Sequence, residues 1–254
     1  MKTVFITGAT RNTGLAIARH FAANGYNVAL SSRSLDKAEK TAEAIEKDYS
    51  VKARGYALGL TDVSDIKRVF NEIEKDFGRL DVFVANSADL GIGYDLLTTE
   101  EEDYYNITDV NIKGTFFCCR YAAELMKKQN GGSIVTIGSV QSKGAVRGRT
   151  VYSMSKAALS SLVKNMAYEL GEYGIRTNNV VAGAIHSERW DSLSEDELTK
   201  RRMRYPIGRE STEQEIANAV FYLGTDLSAT VTGIDLVVDS GLSVCLLPYG
   251  KQNH

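Results

Sequence analysis

The chain has 254 residues, 43% apolar and 24% charged, enough for one large α/β domain or two small ones. Its 30 basic and 32 acidic side chains leave a formal charge of −2, which removes the broad positive field of a general nucleic-acid binder. Three cysteines in no metal-ligand spacing exclude a disulfide scaffold or zinc site, and no apolar run nears the ~18 residues that cross a bilayer. A cytoplasmic protein is expected, without metal, membrane or nucleic acid. Prolines occur only at 206 and 248 and no linker interrupts the chain, so residues 1–254 read as one domain.

Short β-branched runs alternate with stretches at helical spacing. Strands are expected at 3–6, 28–31, 53–58, 82–85, 134–137, 177–181 and 236–238. Helices are expected from Leu15 to Phe21 and near 35–48, 64–77, 99–128, 152–171 and 212–224. Seven strands alternating with helices imply a doubly wound parallel sheet flanked by helices. Segment 186–210 breaks the rhythm and reads as an insertion, either a solvated excursion or a lid over a pocket.

After the first strand comes Thr7-Gly8-Ala9-Thr10-Arg11-Asn12-Thr13-Gly14-Leu15. Small residues there let backbone N–H groups and a helix N-terminus approach a pyrophosphate. Two glycines in a turn are common by chance, and the end of the second strand adds weight. An acid that would hold a ribose 2′-hydroxyl is expected about ~20 residues on, and that place reads Ser31-Ser32-Arg33-Ser34. Ser32, Arg33 and Arg11 suit a 2′-phosphate, so NADP(H) is favoured over NAD(H). The plainer reading makes Arg33 an exposed loop residue and Ser34 a helix cap.

Tyr152 and Lys156 stand four apart at a helix start, on one face. A phenol with pKa about 10 transfers protons poorly near neutrality. A cation about ~4 Å away, at an effective dielectric of ~20, is worth roughly 4 kcal/mol, or about three pKa units. Lys156 is expected to supply that shift. Ser139, at the carboxyl end of the fifth strand, places a hydroxyl where open α/β sheets bind ligands and where it can polarise a carbonyl.

Thr7-Gly8…Gly14, Asp62-Val63, Asn111, Ser139 and Tyr152…Lys156 follow the order and spacing of the short-chain dehydrogenases/reductases, which the chain resembles along nearly its whole length. The likeness continues through Arg176–Ser187, Pro206–Arg209, Glu215–Ala217, Thr232-Gly233 and Val238–Gly241. The resemblance implies a Rossmann fold, with Tyr152 as general acid/base, Lys156 as its pKa modulator and ribose ligand, Ser139 as carbonyl ligand and Asn111 as the holder of a relay water. It implies that Gly8, Thr10, Arg11, Asn12, Gly14, Leu15, Ser32, Arg33, Asp62, Val63, Asn86, Gly183, Ile185 and Ser187 surround the dinucleotide with Tyr152 and Lys156. Departures are Asn12 for a glycine, Ala85 for an asparagine, Ala182 for a proline and Ser187 for a threonine.

Substrate choice is expected from loops 87–98, 140–151 and 184–210. The polar stretch Gln141–Arg149, with Arg147 and Arg149, and the later His186, Arg189 and Trp190 suit a sugar, polyol or sugar acid, and Ser139–Ser142 resembles gluconate and polyol dehydrogenases. The arginines suit solvent or a neighbouring subunit equally well. The main rival is a 3-oxoacyl-carrier-protein reductase, disfavoured because Ala123 and Tyr168 stand where that branch often carries arginines; hydroxysteroid dehydrogenases are a third branch. A catalytically silent NADP-binding sensor would not need Tyr152 and Lys156, and no Gly-x-Ser-x-Gly elbow supports a serine hydrolase. The resemblance also implies a homotetramer or homodimer through helices near 114–128 and 153–170. The tail from Leu242 to His254 reads as packing at a subunit interface or fraying, and is hypothesised to border a pocket.

Overall fold

The computed structural model describes residues 1–245, apart from the side chains of Glu188 and Arg189. The tail hypothesis falls largely on residues 246–254, outside the described ones.

Alternating side chains drive the architecture. In β1 (Thr3–Ile6), Val4 and Ile6 point to one face of the sheet and Phe5 to the other, as period-two geometry requires. All are fully buried, so the strand is sandwiched between helical layers, and each side chain contributes about 1.5–3 kcal/mol by leaving water. The other strands are β2 (Asn27–Ser32), β3 (Ala53–Ala57), β4 (Val82–Ala85), β5 (Gly132–Ser139), β6 (Ile175–Ala182) and β7 (Asp235–Val238). They form one sheet in the order β3-β2-β1-β4-β5-β6-β7, and every neighbouring pair is parallel. The expected single-domain, seven-stranded parallel sheet is therefore present.

One face is covered by α1 (Asn12–Ala23), α2 (Leu35–Tyr49) and α9 (Glu213–Gly224), whose Ile17, Phe21, Ile45, Ile216 and Val220 join Val4, Leu30 and Val180. The other is covered by α3 (Val63–Phe77), α5 (Thr115–Lys128) and α6 (Thr150–Leu170). There Phe5 and Phe70 meet edge-on with centroids 5.3 Å apart. Side-chain oxygens start several helices: Asp62 accepts from the Ser64 N–H at α3, and Thr212 with Glu215 forms a capping box at α9.

The long helix expected over 99–128 is corrected. It is α4 (Glu101–Thr108), then a π-helical turn over Asp109–Gly114, then α5. Segment 186–210 contains α7 (Glu188–Asp191) and α8 (Glu195–Arg202). Among the described residues, no helix is long and apolar enough to cross a membrane.

Candidate active site

Parallel strands carry all their carboxyl ends to one edge, so the turn after β1, the end of β2, Ser139 and the start of the 186–210 segment share a rim. At the first turn Gly8 has φ +66°, and a Cβ on Gly14 would sit 2.4 Å from the Gly8 carbonyl oxygen and 2.7 Å from the Asn86 amide nitrogen. Only glycine permits that approach. Asn12 adopts φ +49°, the left-handed conformation that asparagine tolerates best among non-glycines. Asn86 donates from its side chain to the carbonyls of Thr7 and Gly8, at 2.9 and 3.1 Å. Thr7 Oγ1 in turn accepts from the N–H groups of Asn86 and Ser87. Asn86 thus anchors the turn, a role that its sequence position did not disclose.

These residues fit a dinucleotide by the chemistry of their donors. The turn opens α1, no carboxylate stands at the end of β2, and Arg11 and Arg33 are exposed without an ion pair among the described residues. The nearest acid along the chain, Asp36, is paired with Lys40 at 2.9 Å. Ser32 Oγ accepts from the Ser34 N–H. Asp62 is exposed and spends one carboxylate oxygen on Ser64, with Val63 beside it half-buried. Thr10 and Leu15 are half-buried in the same turn. Beyond β6, Gly183 donates to the Val238 carbonyl at 2.9 Å, Ile185 bridges to Ser211 and Ser187 opens α7.

The catalytic candidates are brought together. Ser139, Tyr152, Lys156 and Asn111 are all buried. Ser139 accepts from the Gln141 N–H at 3.2 Å, and its hydroxyl is near enough to Tyr152 to act on the phenol. The π-helical turn carries Asn111, whose amide donates to Ser155 Oγ at 3.0 Å and to the Asp89 carbonyl at 2.9 Å, while its Oδ1 accepts from the Asp89 N–H at 2.8 Å. Ser155 Oγ donates to the Tyr152 carbonyl at 2.7 Å. Ser155 was missed from sequence: a serine inside a helix carries no signal until its partner on another helix is known.

The expected electrostatics of Tyr152 are also corrected. Lys156 Nζ donates to the Ile137 carbonyl at 2.7 Å and lies 5.8 Å from the Tyr152 ring centroid. Burial raises the Tyr152 pKa above the ordinary phenol value, against the opposing pull of the Ser139 hydroxyl and the Arg149 charge. Burial lowers Lys156 to about 8. In this arrangement the Tyr152 phenol keeps its proton at neutral pH, beside the Ser139 hydroxyl.

The substrate candidates divide. Gln141 Oε1 is buried without a partner among the described residues, and Arg147 is exposed. Arg149 Nη1 donates to the Leu90 carbonyl. Both His186 nitrogens are engaged, by Glu210 at 2.7 Å and Asp191 at 2.9 Å. Trp190 is buried, stacked on His186 and covered by Arg201. These last two side chains are committed to packing the 186–210 segment.

Residues 8–243 match the family described as enoyl-(acyl carrier protein) reductase. Among curated relatives, the chain is 31% identical to a sorbose reductase of Candida albicans over 94% of its own length and 86% of the relative's. It is 32% identical to a probable NADP-dependent mannitol dehydrogenase of Yarrowia lipolytica, over 94% and 87%. A 3-oxoacyl-[acyl-carrier-protein] reductase of Staphylococcus aureus is 33% identical, over 95% and 98%. The chain belongs to the short-chain dehydrogenase/reductase family. The fold agrees: a short-chain dehydrogenase/reductase from Mycobacterium marinum superimposes with a TM-score of 0.87 at 29% identity, covering 95% of each chain. A 7α-hydroxysteroid dehydrogenase complexed with NADH and a 7-oxo bile acid does so at 0.87 and 30%, over 94% and 93%. Members of this family are oxidoreductases with a nicotinamide cofactor, which this chain's first turn suits.

Proposed function

We propose that the chain interconverts a secondary alcohol and a ketone with NADP(H), on a polar substrate of the sugar, polyol or sugar-acid type. The carrying observation is the buried cluster of Ser139, Tyr152 and Lys156 on the rim that also holds Arg11 and Arg33. The bound dinucleotide supplies or accepts the hydride. Ser139 and Tyr152 hold the carbonyl oxygen, and Tyr152 gives it the proton as charge develops. Lys156, fixed on Ile137, places a cation behind the tyrosine, and Asn111 holds Asp89 and Ser155 against the same helix.

A preference for NADP(H) rests on the missing acid after β2 and on two guanidinium groups without ion pairs among the described residues. The polar substrate is supported by the relatives that act on sorbose and mannitol, and by the buried acceptor of Gln141 with Arg147 beside it in the loop. A 3-oxoacyl thioester is the second reading, favoured by the carrier-protein reductase relative. Against it, Ala123 is buried and Tyr168 exposed, so neither offers a cation to a carrier. Self-association as a homotetramer through α5 and α6 completes the proposal.

The test is NADPH and NADH oxidation against ketoses, sugar-acid ketones, 3-oxoacyl thioesters and ketosteroids. Turnover is expected with the first two classes, lost by at least a thousandfold in Tyr152→Phe, on the order of what acid–base groups contribute. Arg33→Ala is expected to weaken NADPH far more than NADH. Substantial turnover by Tyr152→Phe, or equal losses for the two cofactors, overturns the corresponding assignment.

A further inference from the structure

Arg149 is the side chain whose position the proposed reaction leaves unexplained. It is the N-cap residue of α6, three residues ahead of Tyr152 and seven ahead of Lys156. Its guanidinium carbon lies 5.2 Å from the Tyr152 ring centroid, within cation–π range. One of its nitrogens donates to the Leu90 carbonyl. The backbone repeats the contact: Arg149 bridges to Tyr94, and the Gly93 N–H donates to the Gly148 carbonyl at 3.2 Å. The loop lies directly on the tyrosine, since a Cβ on Gly91 would fall 3.4 Å from that of Tyr152 and 2.8 Å from the Ile107 side chain.

We propose that Arg149 is a positioning residue, which clamps the 87–94 loop over Tyr152 and holds a positive charge beside the phenol ring. This rests on the reading of Tyr152 as the acid–base group. The other groups around that ring leave the task to Arg149. Lys156 is bound to the Ile137 carbonyl and Ser139 offers a neutral hydroxyl. On the loop, the Asp89 carboxylate is turned to the Gly91 N–H, and the Tyr94 hydroxyl feels the Asp103 charge of α4. On the neighbouring π-helical turn, Asp109 and Lys113 neutralise each other at 2.7 Å, and Lys143 faces Asp235. The Arg149 charge favours the phenolate, opposing burial, and its fork holds the loop in a way that a lysine cannot reproduce.

The test uses the full chain with cofactor. It follows the pH dependence of kcat and KM for alcohol oxidation and, separately, the titration of Tyr152 by NMR of labelled tyrosine, with Tyr152→Phe identifying the resonance. Oxidation needs the phenolate, so removing the charge moves the rise in kcat to higher pH. For Arg149→Met the expected shift is about one pH unit upward, with about a tenfold loss of kcat at neutral pH, allowing for the partial exposure of Arg149. Arg149→Lys is expected to keep the inflection and raise KM. If Arg149→Met does not fold, Arg149→Gln, which retains a donor for Leu90, must show the same upward shift. Unmoved inflections in kcat and in the Tyr152 resonance, in whichever neutral variant folds, overturn the proposal. Full turnover by Tyr152→Phe would instead overturn the acid–base reading, while the NMR titration still decides the effect of Arg149 on the phenol.

Discussion

Lys156 illustrates how a side chain proposed for catalysis stands against stability. It is buried with a single hydrogen bond, to a carbonyl rather than a carboxylate, so its charge is held without an ion partner and its pKa falls from 10.5 to about 8. Below that value the folded and unfolded chains both hold the proton, and the cost is present in full. Between about 8 and 10.5 the unfolded chain binds more proton than the folded one, so this group makes stability rise with pH. Lys156→Met is therefore expected to unfold at higher temperature at pH 7, by about 1–2 kcal/mol of stability, while turnover is lost. The variant should also lose the rise in stability across that pH window. Thermal unfolding at pH 7 and pH 10 checks both statements, and a destabilised variant would show that the Ile137 hydrogen bond outweighs the burial of charge.

Among the elements, the 186–210 segment has a polar anchor. Glu210 is buried and accepts from Arg202 through both oxygens, at 2.8 and 2.9 Å, and is bonded to His186. The guanidinium holds its carboxyl at about 2, and the carboxylate raises the His186 pKa. Glu210→Ala is expected to cost about 1–2 kcal/mol, less than for a fully buried pair because Arg202 and His186 are partly exposed. It should also speed amide exchange in α8. The histidine's share is complete below its unfolded pKa of about 6.5 and fades as pH rises through its higher folded value. The loss should thus be larger at pH 6 than at pH 9. Equal exchange in α8 with and without Glu210 would remove its anchoring role.

This anchor was not legible in the sequence, since His186, Arg202 and Glu210 carry no periodic signal and meet only after the chain has turned. Strands were legible because buried parallel strands are short β-branched runs, and the phosphate turn because its glycines are spaced by steric need. The break at Asp109–Gly114 was hidden. Local spacing continues smoothly there, and the π turn is stabilised by Asn111 reaching Asp89 and Ser155 from distant segments. The direction of Lys156 was hidden likewise, for sequence shows a neighbour at i+4 but not a carbonyl on another strand that competes for its ammonium.

On the scale of the whole molecule, the two core layers leave large apolar side chains outside. Phe116 on α5 is 47% exposed, and Met154 and Tyr168 on α6 are 52% and 92% exposed. Such a surface suits a subunit interface. Light scattering is expected to give a particle of about four 27.8 kDa chains, and Phe116→Glu with Tyr168→Glu should reduce it. A monomer at micromolar concentration would remove the interface.

The lashing of Asn86 and Thr7 has an implication for ligand binding. The turn at 7–14 is bonded to Asn86, and through Thr7 Oγ1 to the Ser87 N–H at the start of the 87–98 loop, so ordering of one favours ordering of the other. Free energy that a first ligand spends in stiffening one of them is withheld from, or lent to, the second ligand at the other. Thermodynamic reciprocity makes that factor the same in whichever order the two arrive.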